Sequence, residues 1–263
     1  MNVELIDLGR AEDLKSVGGK ALALGQLLRA GFNVPSGFVL PANSEAAIEN
    51  VLERFDKLGA DYVAVRSSGV SEDSKDAAWA GQFDTFVNVT KKDLIEKIEK
   101  CRQSGKSARA RSYALQKDIP AGEVAVIVQQ MIQGDVSGIA FSVNPITKNS
   151  DEVVIEAGYG LNEAIVSGEI TPDTYILNKS GGDLQKHVAN QTKKLSLTNG
   201  ANEWVTLDDG DAQKLTDKQI QEVSGVVQKL EEHFKFPVDM EWTIASGKLF
   251  ILQSRPITTL GVE

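Results

Sequence analysis

Cysteine and histidine are nearly absent from this 263-residue chain. Cys101, the single cysteine, cannot close an internal disulfide, and His187 and His233 lie too far apart in sequence to suggest a histidine-rich metal centre. Positive charge is also scarce. Lys and Arg number 28 against 37 Asp and Glu, giving a net charge of −9, whereas nucleic-acid-binding domains gather clustered positive charge against phosphates. The balance excludes nucleic acid as the main partner but leaves room for a local basic pocket serving one nucleotide. No stretch approaches the roughly 18–20 apolar residues of a membrane span. The opening MNVELIDLGR has acidic residues where a secretion signal has a basic stretch and an apolar run. A soluble, cytoplasmic protein without membrane attachment is expected. Low-complexity linkers and internal repeats are missing too, and 41% apolar residues over this length suffice for a sizeable core without staples.

What is present is a mixed pattern of helices and strands. Lys20 to Arg29 reads as a helix stopped by Gly31. Ser44 is placed to cap a second, along which Ile48, Val51, Leu52, Phe55 and Leu58 recur at helical spacing. Leu94, Ile95 and Ile98 mark a third, and a fourth is expected around Ala108 to Gln116. Thr216 opens the clearest helix, with Ile220, Val223, Val227, Leu230 and Phe234 on one face. Runs rich in β-branched residues predict strands at Tyr62–Val65, Glu123–Gln129, Gly138–Val143, Glu152–Glu156 and Thr174–Leu177, and a terminal hairpin from Val238–Ile244 and Leu249–Gln253. Asp183–Gly210, polar throughout, reads as a loop-rich excursion. The mixed order, with hairpins in the second half, predicts an α+β class.

Three features carry chemistry. Gly18-Gly19-Lys20 ends a loop and opens a helix, so backbone N–H groups and an ammonium can meet an anion there; a plain helix-start turn is the alternative. Val63-Ala-Val-Arg66-Ser67-Ser68 ends a strand on an arginine and two hydroxyls, with Gly81 following. An arginine so placed can fork onto phosphate oxygens, or simply pair with Glu72 or Asp73. In the terminal hairpin, alternation puts Asp239, Glu241 and Thr243 on one face and Met240, Trp242 and Ile244 on the other. With Ala245 opposite Leu249, Glu241 faces Gln253, Asp239 faces Arg255, Trp242 faces Leu252 and Ile244 faces Phe250. Glu241 and Gln253 then offer oxygens of the kind Mg²⁺ takes, one or two from protein and the rest from phosphates and water. A salt-bridged solvated sheet face is the alternative.

These features occur in one order along one chain, within the blocks VGGKALALGQL, VPSGFVL, VAVRSSGVSEDS, AGQFDTFVNV, VIVQQMI, VSGIAFSVNPIT, GYGLNEAIVSGEITPDTYIL and VDMEWTIASGKLFILQSRPIT. In them the chain resembles the N-terminal nucleotide-binding domain of pyruvate phosphate dikinase, phosphoenolpyruvate synthase and rifampicin phosphotransferase. The resemblance implies a single ATP-grasp domain over 1–263. Its N-terminal lobe would span roughly 1–130 and its C-terminal lobe roughly 131–263, closing on a nucleotide cleft with ATP and Mg²⁺ as cofactors. It also implies that Lys20, with Gly19 beside it, and Arg66 contact phosphates, while Gly81 and Thr85 cover them. Gln129, Gln130, Met131 and Ile132 would line adenine, and Glu163 would lie near the ribose or phosphates. Glu241 and Gln253 would hold Mg²⁺, and Arg255 would reach the transferred group. Lys20, Arg66 and Arg255 are the catalytic candidates.

The implied activity is that of the phosphoryl-donating part of a dikinase-type phosphotransferase. ATP would give its β-phosphate to a histidine on a separate domain or partner, with release of AMP and phosphate, on the way to a small-molecule acceptor. His187 and His233 lie in settings unlike the phosphorylated histidine of the family. Asn162 stands where the family usually has the second glycine of GLGEA. Two other readings are a non-catalytic ATP-binding regulatory module and an ATP-grasp carboxylate ligase forming ADP.

Overall fold

The computed structural model describes residues 4–42, 44, 46–69, 85–104 and 124–257. The chain divides into two compact units, Met1–Met131 and Ile132–Glu263. The helix expected around Ala108 to Gln116 and the candidate Gly81 fall outside the described residues. No described helix is long and apolar enough to cross a membrane.

The first unit is built on an antiparallel sheet of β1 (Ile6–Asp7), β2 (Gly37–Leu40), β3 (Val63–Ser68), β4 (Thr85–Val89) and β5 (Ala125–Gln130), in the order β1-β2-β5-β3-β4. Alternation gives it two faces. Phe38, Leu40, Val63, Val65, Val126 and Val128 point to one core, where they meet Val51 and Phe55 of α2 (Ile48–Leu58) and Leu94, Ile98 and Cys101 of α3 (Leu94–Ser104). α1 (Leu14–Arg29) packs on β2, β3 and β5 and buries Val17, Ala21, Leu24 and Leu27. It begins earlier than the expected Lys20, with Asp13 accepting from Lys15 N, but its helical path breaks at Gly18 (φ 77°) and resumes at Gly19. The expected Ser44 cap does not form. The Ser44 hydroxyl donates to Pro41 O at 2.6 Å, closing its own turn, and α2 starts after Ala47 without a side-chain cap.

The second unit holds a six-stranded antiparallel sheet. Its strands are β6 (Val136–Phe141), β7 (Glu152–Tyr159), β8 (Asp173–Asn178), β9 (Leu184–His187), β12 (Val238–Ala245) and β13 (Lys248–Pro256), ordered β13-β12-β6-β7-β8-β9. A separate hairpin joins β10 (Lys193–Thr198) to β11 (Ala201–Thr206). Two helices complete the unit, α4 (Asn162–Val166) and α5 (Asp217–Phe234). Asp183–Gly210 is therefore not loop-rich; it contains three strands. Asn199 and Gly200 both take positive φ at the turn between β10 and β11, as a tight two-residue hairpin requires. The segment that follows is anchored by a buried ion pair. Lys214 Nζ lies 3.1 Å from Asp173 Oδ1, and that carboxylate also accepts from the Ala189 and Lys214 amides and the Tyr175 hydroxyl.

Thr216 caps α5 as expected, in a reciprocal box with Gln219. Ile220, Val223, Val227 and Leu230 form its buried face, and the helix packs on β6, β7 and β12. Trp242 is fully buried, and Gly138 makes room for it: a Cβ there would come 2.8 Å from the indole Cζ2.

The terminal hairpin departs from the expected register. Ser246 and Gly247 form a two-residue turn at positive φ, so Ala245 pairs with Lys248, Ile244 with Leu249 and Trp242 with Ile251. A bulge then takes up Leu252, and beyond it Glu241 pairs with Gln253 and Asp239 with Arg255. The expected partners of Trp242 and Ile244 are thus wrong by one residue, while those of Glu241 and Asp239 stand.

Candidate functional site

In the first unit, two sequence motifs fold onto each other. Gly19 N donates to Gly69 O at 2.9 Å, Ala21 N to Ser68 Oγ at 3.1 Å, and Lys20 Nζ to Ser67 O at 3.2 Å. The approach is so close that a Cβ on Gly18 would meet Ser68 O at 2.3 Å, and its φ is one that favours glycine. The Gly18-Gly19-Lys20 break is therefore docked on the end of β3. Lys20 is buried to 7% exposure there, an unusual place for an ammonium unless it has work to do. Arg66 lies one residue before this contact, with Thr85 opposite it on β4 and Ile127 opposite on β5. Gln129, two residues on from Ile127, shares that face. Its amide donates to Pro35 O at 3.0 Å. Gln130 turns its side chain to the other face and accepts from Ser36 Oγ. Met131 N donates to Tyr62 O, continuing the edge of the strand. Lys20, Arg66 and Thr85 thus bring an ammonium, a guanidinium and a hydroxyl toward the Ser68 end of β3, a set suited to phosphate oxygens, with Gln129 farther along the same sheet face.

Ile132 opens the second unit half-buried. There the sheet carries Gln253, Glu241, Ile139, Glu156 and Thr174 in one row across β13, β12, β6, β7 and β8. The adjacent row brings Arg255 against Asp239. Arg255 Nε donates to both carboxylate oxygens, at 3.1 and 2.9 Å, so the guanidinium is held in a fixed orientation. Trp242 and Met240 point to the opposite, fully buried face. Glu163, on α4, is exposed at the surface, yet the desolvation of its carboxyl and the charge of Glu169 push its pKa up. Among the described residues no three His, Cys, Asp or Glu side chains converge as a metal cage. One carboxylate and one amide oxygen on neighbouring strands instead match a cation that draws its remaining ligands from phosphates and water.

Two groups near this row were not singled out from sequence. Glu156 has its carboxyl pushed above the ordinary range by burial; it was hidden inside the apolar strand VVIEA. Asn162, read from sequence only as a departure in a loop, donates from Nδ2 to Glu241 Oε2 at 3.1 Å across 79 residues of chain.

Residues 39–263 match the family described as "Pyruvate phosphate dikinase, AMP/ATP-binding domain". An uncharacterized phosphotransferase of Bacillus subtilis, YvkC, is 35% identical over 95% of this chain and 34% of its own length. A probable phosphoenolpyruvate synthase of Pyrococcus horikoshii is 39% identical over 76% of this chain and 26% of its own. The rifampicin phosphotransferase of Bacillus subtilis is 38% identical over 84% of this chain and 26% of its own. The chain thus spans between a quarter and about a third of the length of these relatives. Among solved structures, a D-alanine–D-alanine ligase of Bacillus anthracis matches with a TM-score of 0.47 and 10% identity, covering 95% of this chain and 59% of that one; a likeness this coarse carries no residue roles. By the family match over most of its length, the chain belongs to the pyruvate phosphate dikinase AMP/ATP-binding domain family.

Proposed function

We propose that the chain is the ATP-binding, phosphoryl-donating part of a dikinase-type phosphotransferase of the ATP-grasp kind. It would pass the β-phosphate of ATP to a histidine on another domain or on a partner chain, with release of AMP and phosphate, toward a small-molecule acceptor. The observation that carries the reading is the family match over 39–263. The docked Gly18-Gly19-Lys20 and Arg66-Ser67-Ser68 motifs and the Glu241–Gln253 and Asp239–Arg255 pairs add their chemistry to it.

In this reading Lys20 and Arg66 bind phosphate oxygens, with Gly19, Gly81 and Thr85 supplying neutral donors beside them. Gln129, Gln130, Met131 and Ile132 take the adenine edge, and Glu163 lies near the ribose or phosphates. Glu241 and Gln253 hold Mg²⁺, and Arg255, oriented by Asp239, holds the group in transfer. Bound Mg²⁺ would neutralise charge on the phosphate oxygens. Phosphoryl transfer asks little covalent chemistry of the protein; positioning and charge compensation supply most of the acceleration. A cytoplasmic setting fits a nucleotide-dependent enzyme of this composition.

Titration calorimetry with ATP, with and without Mg²⁺, tests the reading. ATP binding strengthened by Mg²⁺ and weakened by Arg66→Ala is expected. No binding at millimolar nucleotide would contradict it.

A further inference from the structure

Asn162 opens α4 on a loop whose backbone has little freedom. Tyr159 N donates to Gln191 Oε1 at 2.8 Å, and Tyr159 O accepts from Gln191 Nε2 at 2.9 Å. Gly160 N donates to Asp135 O, Gly160 O accepts from Ser137 Oγ at 2.6 Å, and Leu161 N donates to Leu195 O. A Cβ at Gly160 would come 2.4 Å from Leu195 O, so the loop sits flush against β10. Five hydrogen bonds over three residues thus deliver Asn162 to a fixed place.

That place is beside Glu241. A carboxylate only accepts, so Asn162 turns its amide nitrogen to Oε2, at 3.1 Å. Its own Oδ1, about 2.2 Å from that nitrogen in a planar amide, is left beside the carboxylate. This oxygen is buried and finds no hydrogen-bond donor among the described residues, and the residue as a whole is 9% exposed. A buried carbonyl oxygen without a donor is costly enough that native structures rarely leave one, and ligand sites are where they do. Ordinary core packing does not account for an amide that spends its donor on one carboxylate and leaves its acceptor empty. A divalent cation does, since it takes oxygens of both kinds and supplies the missing positive charge.

We propose that Asn162 Oδ1 is a third protein oxygen for the cation assigned to Glu241 and Gln253, and that the Asn162 N–H fixes the Glu241 carboxylate for the same cation. The inference rests on the metal assignment made above. It adds a ligand from a different element, so that cation binding ties the loop before α4 to the β12–β13 hairpin.

The test is Mn²⁺ binding by the full 263-residue chain with the non-hydrolysable analogue AMP-PNP, read from the electron paramagnetic resonance signal of free Mn²⁺. Asn162→Leu should weaken Mn²⁺ by roughly 10-fold or more while leaving AMP-PNP binding in EDTA unchanged. Asn162→Asp should bind Mn²⁺ at least as tightly as the native chain. It should also melt earlier without metal, because a second carboxylate faces Glu241, and recover on adding Mn²⁺. A purely structural asparagine would lower the melting temperature in both variants and leave Mn²⁺ affinity alone. Should the Leu variant unfold, Asn162→Ala and the Asp variant carry the comparison. Native affinity in the Leu or Ala variant, or loss of affinity in the Asp variant, would overturn the proposal. Glu241→Gln separates the two claims. If it loses Mn²⁺ while Asn162→Leu does not, only the role of Asn162 fails; if it keeps full affinity, the metal assignment fails and this inference with it.

Discussion

Glu241 stands opposite Gln253 because β13 carries one residue more than β12 between the turn and this pair. The two-residue turn at Ser246 and Gly247 sets one register, and the bulge at Leu252 resets it. Without the bulge, the next residues of β13 would present the wrong faces. Inserting one alanine after Leu252 should therefore put that alanine opposite Glu241 and turn Gln253 and Arg255 away from Glu241 and Asp239. Calorimetry is expected to show loss of the Mg²⁺-dependent part of ATP binding. Unchanged Mg²⁺-dependent binding would mean that these side chains do not act together.

Adjacent residues of β12 should behave oppositely. Trp242 is fully buried against Gly138, and Trp242→Ala should cost about 3–5 kcal/mol in denaturant unfolding. Glu241→Ala should leave the metal-free melting temperature within a few degrees of native and weaken nucleotide binding only when Mg²⁺ is present. Melting curves paired with calorimetry check both halves.

Gly18→Ala would put a methyl group 2.3 Å from Ser68 O at a backbone angle unfavourable to alanine. A destabilisation of upwards of about 2 kcal/mol is expected from strain and steric overlap together, with weaker ATP binding because Lys20 shifts with the loop. Urea titration of the variant measures the first and calorimetry the second.

Burial pushes the Glu156 carboxyl above its ordinary 4.5. The folded chain therefore keeps a proton that the unfolded chain loses between 4.5 and the raised value, and stability falls as pH rises through that window. Above it the ionised group is a standing cost. Glu156→Gln should raise the melting temperature near pH 7.5 and change it little at pH 4. An equal shift at both values would show that the carboxyl does not titrate as its burial requires.

The sequence was most readable where local chemistry alone decides structure. Thr216 with Gln219 caps α5, and alternation along Asp239–Ile244 separates Glu241 from Trp242. It misled where several local partners compete, as when the Ser44 hydroxyl takes Pro41 O rather than a helix N–H. The polar stretch around Lys193–Thr206 concealed a hairpin because much of it is solvated on both faces, yet Asn199-Gly200 was a turn signal in plain sight. The bulge at Leu252 leaves no mark in the residue pattern. The contact of Asn162 with Glu241 depends on the loop course from Tyr159 to Leu161, which is set by distant partners such as Gln191 and Leu195. Spacing along the chain does not encode it.

The most direct test of the account is the nucleotide product formed when the chain meets ATP, Mg²⁺ and a dikinase-type phosphohistidine domain supplied in trans. The account predicts AMP, phosphate and an acid-labile phosphohistidine, little turnover without the acceptor, and loss of transfer in Arg255→Ala while ATP binding survives. Rapid release of ADP by the chain alone would contradict it.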